Sequence, residues 1–282
     1  MRLEIAREVF DLGDPALLRK LIDLAIEGRH EWRPDLDEAV YVDERSDRLP
    51  PDQREYLEKL VIEAADPTPP SSAATAQVTL AELRDMVSDL AKPAVLVLEN
   101  RFSDGEFVQR VAAVFGEDRI VEALDAANEW LRLCNGGGTG QLAESAIAEC
   151  KMFRMLVRVA VLLDSDRAHA GAVSDYEPKV TAMRAAGVPE VHMLLLRMIE
   201  NYLPLKAWEH HFAHQPEKVD ALRRRPLAER HYLHLKTHFG RRNMPKRLLP
   251  EDLMLTTEDF AELGEDAVAD LRELFAMIHR IL

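Results

Sequence analysis

Ala94-Val95-Leu96-Val97-Leu98-Glu99 and Val157-Arg158-Val159-Ala160-Val161-Leu162-Leu163-Asp164-Ser165-Asp166 are two valine- and leucine-rich runs that both end in carboxylates. Short apolar runs bounded by polar residues read as buried strands. In open α/β sheets the reactive groups gather beyond the carboxyl ends of the strands, so Glu99, Asp164 and Asp166 are expected to meet despite their separation in sequence. Three acids held that close repel one another unless an oxygen-seeking cation, Mg²⁺ or Mn²⁺, lies between them.

Outward from these runs, strand-like and helix-like segments alternate. The pattern predicts strands at 94–98, about 129–134, 157–163 and 190–195, and helices at about 103–115, 139–149 and 175–186. That rhythm implies right-handed βαβ units and an α/β fold, a parallel sheet with helices on both faces. After Leu196 the pattern is helical, with breaks at Pro204, Pro216, Pro226, Pro245 and Pro250. Residues 1–64 read as a helical N-terminal region, with apolar faces in 16–26 and 53–62. Ala65-Asp66-Pro67-Thr68-Pro69-Pro70-Ser71-Ser72 opens a connector assigned to 65–78. Thr79 then reads as an N-cap, and Glu82 completes a capping box for a helix through about Leu90. The expected organisation is therefore 1–64, linker 65–78, an α/β domain over 79–204, and a helical C-terminal region over 205–282.

A chain of 282 residues with 47% hydrophobic content can bury one large core or a core plus a smaller one. No apolar stretch is long enough to span a bilayer, and acids interrupt the N-terminus where a signal peptide would be apolar. Cys134 and Cys150 lack zinc-site spacing and suit a reduced interior, so a cytoplasmic protein with no membrane association is expected. The net charge of −14 argues against indiscriminate nucleic-acid binding. Residues 206–247 are the exception, with eleven Lys/Arg against four acids. Arg223, Arg224, Arg225, Arg241 and Arg242 in this stretch are the candidate phosphate contacts, although a solvated basic face explains the arginine run equally well. His231, His234 and His238 have the spacing of one helical face, but without a fourth ligand they read as solvated or nucleic-acid-facing rather than as a zinc site.

Four segments together resemble a known family. Leu98-Glu99-Asn100-Arg101-Phe102-Ser103-Asp104 is similar to the opening motif of the TOPRIM domain, Asn135-Gly136-Gly137-Gly138-Thr139-Gly140 to its glycine turn, and Leu163-Asp164-Ser165-Asp166 to its Asp-x-Asp. Ile199-Glu200-Asn201-Tyr202-Leu203 resembles a segment of OLD-like and related phage-defence nucleases. The resemblance covers about 92–204. It departs at Asn100, where the family has glycine, and in one extra residue between Glu99 and Asp104.

The resemblance implies a TOPRIM-like sheet and metal-dependent phosphodiester cleavage of DNA or RNA, as the effector of an anti-phage system. Glu99, Asp164, Asp166 and Glu200 are then catalytic ligands of one or two Mg²⁺ or Mn²⁺ ions, and Asp104 is an auxiliary or water-mediated ligand. The amides of Gly136, Gly137 and Gly138 are expected to cradle a phosphate, since no Cβ intervenes. Lys236 is the expected charge-stabilising lysine, with Lys246 second. A type I topoisomerase needs a larger clamp and a primase needs a zinc module, so a small nuclease remains. The alternative is a non-catalytic interaction subunit that keeps the fold. No Gly-x-x-x-x-Gly-Lys-Ser/Thr motif is present, so these residues do not form a P-loop ATPase. The nucleases that the chain resembles either carry an ATPase domain or work beside a separate ATPase subunit, so the resemblance implies such a subunit as a partner, and a homo-oligomer is compatible with the reading.

Overall fold

The structure is a computed structural model that describes residues 1–65, 74–138 and 140–282. It is an α/β chain that divides into two compact units, each with its own parallel sheet. The first unit comprises 1–94, 151–158 and 279–282; the second comprises 95–150 and 159–278. Among the described residues no helix is long and apolar enough to cross a membrane.

The first unit corrects the expectation of a purely helical N-terminal region. Its sheet has strand order β2-β1-β3, with β1 at Arg2–Ile5, β2 at Glu31–Trp32 and β3 at Thr75–Val78. Arg2 stands opposite Glu31 on one side and Thr75 on the other, both pairings parallel. Leu3, Ile5, Ala76 and Val78 are buried while Glu4, Thr75 and Gln77 are exposed, so one face of the sheet carries the core. The expected helices are present as Pro15–Ile26, started by the Asp14 carboxylate on the N–H of Ala16, and Pro51–Ala64. Trp32 stacks on Phe10 with ring centroids 5.5 Å apart. Residues 75–78 were expected within the connector. They form a strand because β1 supplies the hydrogen-bonding partner that a four-residue run cannot announce by itself. Residues 66–73 of that connector lie outside the described residues.

Thr79 and Glu82 do meet, but not as a capping box. The Thr79 hydroxyl donates to the Glu82 carboxylate at 3.0 Å, and the helix runs over Leu83–Leu90.

The second unit holds residues 95–99 and 159–166, the larger part of both apolar runs and all of their carboxylates. Its strands are β4 (Ala94–Leu98), β5 (Leu131–Asn135), β6 (Val159–Leu163) and β7 (Glu190–Met193), in the order β5-β4-β6-β7. All five residues of both β4 and β6 are buried, as unbroken valine and leucine runs require in the middle of a parallel sheet. Val95 pairs with Val159 and Leu98 with Leu162, which brings the carboxyl ends of β4 and β6 side by side. From β4 the chain moves outward to β5, returns to place β6 on β4's other side, and continues to β7. The topological switch point therefore falls between β4 and β6, where open α/β sheets leave a crevice.

Helices Ser103–Phe115, Leu142–Cys150 and Glu177–Ala185 connect the strands at or within a few residues of the predicted bounds, and Asp118–Leu124 is a further helix. The region after 204 is helical but not a separate domain. Its helices up to residue 278 belong to the same compact unit as the second sheet.

Candidate functional site

Glu99 follows β4 directly, Asp164 follows β6 directly, and Glu200 sits in a short 3₁₀ turn, Ile199–Tyr202, reached from β7. Backbone links lock these ends together. Leu194 N–H donates to Leu163 O at 3.0 Å, and Asp166 N–H to Arg197 O at 2.8 Å. The Ser165 hydroxyl reaches Leu196 O at 2.7 Å, and Ile199 N–H donates to the Asp164 carboxylate at 2.9 Å.

Asn201 and Tyr202 then fix the turn from both sides. The Asn201 amide donates to Arg230 O at 2.8 Å and Leu233 O at 3.1 Å, tying the turn to the segment that leads to Lys236. The Tyr202 hydroxyl donates to Asp270, which also faces His192 at 3.2 Å. Tyr202 is thus a packing residue with a satisfied hydroxyl.

These elements enclose one cavity of about 420 Å³ into which the four carboxylate residues Glu99, Asp104, Asp164 and Glu200 converge with Lys236 and Lys246. Lys236, in helix Leu235–Phe239, lies 2.9 Å from Glu200. Glu99 Oε1 and Glu200 Oε2 are buried with no hydrogen-bond partner.

The electrostatics follow from that crowding. Burial, then the charges of Asp104 and Asp166, push Glu99 up to about 7. Burial, then the charges of Glu200, Glu99 and Asp104, raise Asp164 well above the carboxylate range. Asp104 is raised by burial and by Glu200. Burial alone would lower Lys236, but Glu200, Asp164 and Asp104 outweigh it and raise the ammonium. A site with more negative groups than it can ionise at neutral pH suits added positive charge.

Among the described residues, no three His, Cys, Asp or Glu side chains stand as a ready-made metal cage. The donor set nonetheless fits a hard divalent cation: all four acids offer oxygen, and two of those oxygens are buried without a partner.

The other sequence-predicted residues fall elsewhere. Asp166 is exposed, outside the cavity lining, with φ of 50° and its carboxylate accepting from the Tyr176 hydroxyl at 2.9 Å. Its charge still bears on Glu99.

Asp104 has a structural task beside its place in the cavity. It accepts from Asn100 N–H at 2.9 Å and from the Ser103 hydroxyl at 2.7 Å, while Asn100 accepts from Phe102 N–H at 3.1 Å. The asparagine that departs from the family's glycine therefore closes this loop through its side chain.

Two of the three amides expected to cradle a phosphate, those of Gly136 and Gly138, are engaged within the fold. Gly136 N–H donates to Leu98 O at 2.7 Å and Gly138 N–H to Glu99 O at 3.4 Å, so both amides are spent on the end of β4. A Cβ on Gly136 would stand 2.3 Å from Leu142 and 2.9 Å from Leu98 O, so close packing demands this glycine.

The arginine run is likewise locally offset. Arg223 pairs with Glu209 and Asp220, Arg225 with Glu229, and Arg224 donates to Asp220 O. Arg241 and Arg242 are exposed in a 3₁₀ turn outside the cavity lining. Lys246, with Met244 and Pro245, lines the cavity instead.

The histidines do not form one face. Helices Leu227–Arg230 and Leu235–Phe239 are separate, His231 and His238 bond the carbonyls of Leu263 and Lys218, and His234 caps its own helix. Sequence reasoning did not foresee the cavity's apolar members Phe102, Ile199, Met244, Pro245 and Leu248, which follow no helical or strand period. No family model, curated protein or solved structure matches the chain.

Proposed function

We propose that this chain is a Mg²⁺- or Mn²⁺-dependent phosphodiesterase acting on nucleic acid, a nuclease of the kind its TOPRIM-like motifs suggest. The observation that carries the reading is the convergence of Glu99, Asp104, Asp164 and Glu200 on one cavity at the switch point, with two buried oxygens unpartnered. A bound divalent ion supplies a hydroxide-like nucleophile and charge neutralisation at phosphorus. Glu99, Asp164 and Glu200 would hold it, with Asp104 auxiliary because its oxygens already bond the loop. Lys236 holds Glu200 by charge and directs an ammonium at developing phosphate charge. Lys246 places a second cation on the lining and is a better phosphate contact than the self-paired Arg223–Arg225 run. Action beside a separate ATPase subunit in anti-phage defence rests on the Ile199–Leu203 resemblance alone.

One observation favours the second reading, a non-catalytic interaction subunit: Lys236 already neutralises Glu200. Cleavage assays on plasmid, linear DNA and tRNA with Mg²⁺, Mn²⁺ or chelator decide between them. The nuclease reading expects metal-dependent cleavage that Asp164→Asn lowers by about 10³-fold or more, about 4 kcal/mol of barrier. No cleavage with either ion, together with no rise in melting temperature on adding them, selects the interaction subunit.

A further inference from the structure

The cavity lining combines two chemistries, and only its charged members are used by a phosphodiester reaction. Beside the four carboxylates the lining carries Phe102, Ile199, Met244, Pro245 and Leu248. Phe102 is the outlier among them, because its side chain is 73% exposed. An exposed phenyl ring at the edge of a charged cavity gains nothing from the fold, since it is not removed from water.

The backbone that carries the ring is nevertheless held in place. Phe102 N–H donates to the Asn100 side chain at 3.1 Å, its carbonyl accepts from Glu106 N–H at 3.2 Å, and the Arg101 guanidinium lies 4.8 Å from the ring centroid. An exposed aromatic surface carried on a fixed loop, with a cation beside it, is what a nucleobase and its adjoining phosphate require. A cavity of about 420 Å³ falls within the range of small-molecule pockets and suits one nucleotide rather than stacked base pairs.

Resting on the nuclease reading, we propose that the site takes an unpaired nucleotide, its base stacked on Phe102 and its phosphate between Lys246 and the carboxylates, so that single-stranded nucleic acid is the preferred substrate. Phe102 acts as a specificity residue and takes no part in the chemistry.

The test uses the full chain with Asp164→Asn, which binds without cleaving, and measures fluorescence anisotropy of a labelled short single strand and of the same sequence as a blunt duplex. The single strand is expected to bind more tightly. Phe102→Ala should weaken single-strand affinity by roughly five- to a hundred-fold with little change for the duplex, the scale of one base–aromatic stack. Phe102→Trp should restore it, with added indole fluorescence that quenches on binding. Because the ring is exposed, both variants should melt as the parent does.

Unchanged single-strand affinity in Phe102→Ala overturns the proposal, as does an equal loss for strand and duplex, or no binding of either form. A Phe102→Ala chain whose only change is a smaller sedimenting assembly also overturns it, assigning the ring to a protein contact. Stacking-dependent binding by a wild-type chain that cleaves nothing would remove the hydrolase reading while leaving this one standing.

Discussion

Asp89 in the first unit is fully buried and Asp164 in the second is half-buried on the cavity lining, and their surroundings do opposite things to them. Asp89 is 0% exposed, and every need of its carboxylate is met: N–H groups of Arg154, Met155 and Leu156 donate to Oδ2 at 2.9, 2.7 and 3.0 Å, and Lys92 donates to Oδ1 at 2.7 Å. Burial alone would raise Asp89, but Lys92 and the three amides outweigh it and hold the carboxyl below its ordinary value. Asp164 accepts one backbone N–H and faces Glu200, Glu99 and Asp104, so burial and like charge raise it together. The first acid is spent on holding residues 151–158 to helix Leu83–Leu90. The second has interaction capacity left over, which is what the proposed cation would take up.

The contrast is broken most directly at Asp89. Asp89→Ala leaves three amides without their acceptor and Lys92 with Met152 O alone, and should cost about 3–5 kcal/mol in urea unfolding. A loss under about 1 kcal/mol would mean that water replaces the carboxylate and that the acid is not structural.

Next in size is a difference in pH response. Asp89's folded value is depressed from 3.8, so its contribution is present above that pH and lost as pH falls through the folded value. Glu99 is raised from 4.5 to about 7, so its protonated form stabilises the fold below about 4.5, and that stability drains away as pH rises through about 7. In chelator, the melting temperature should therefore decline between these values by the equivalent of up to about 3 kcal/mol. Asp104 and Asp164, also raised, act with the same sign. Glu99→Gln should flatten this slope. A slope unaltered in that variant would place the strain elsewhere.

Asp104 is the intermediate case and should show the smallest effect. Asp104→Asn keeps an acceptor for Asn100 N–H and relieves repulsion, so stability should stay within about 1 kcal/mol of the parent. Cleavage should fall far less than in Asp164→Asn. Equal loss in the two variants would promote Asp104 from loop brace to full ligand.

The amino-acid sequence alone determined the second sheet and most of its acids. Unbroken runs such as Ala94–Leu98 and Val159–Leu163 have one stable solution, burial in the middle of a parallel sheet, and a parallel sheet gathers strand ends at one edge. Glu99, Asp164 and Glu200 were legible because each follows such a run or the turn after one. The first sheet was not legible. Arg2–Ile5, Glu31–Trp32 and Thr75–Val78 are two to four residues long, and their pairing joins segments about thirty to seventy residues apart, beyond any local pattern.

Only the tertiary structure decided what charges and glycines do. Arg223 and Arg225 read as free basic surface until Glu209, Asp220 and Glu229 fold against them. Gly136 reads as a phosphate contact until its amide is found on Leu98 O. Phe102 and Lys246 belong to the site because separate loops meet there. Periodicity reports which residues leave water, whereas hydrogen bonds and ion pairs depend on which segments become neighbours, and that is settled by the packing of the whole chain.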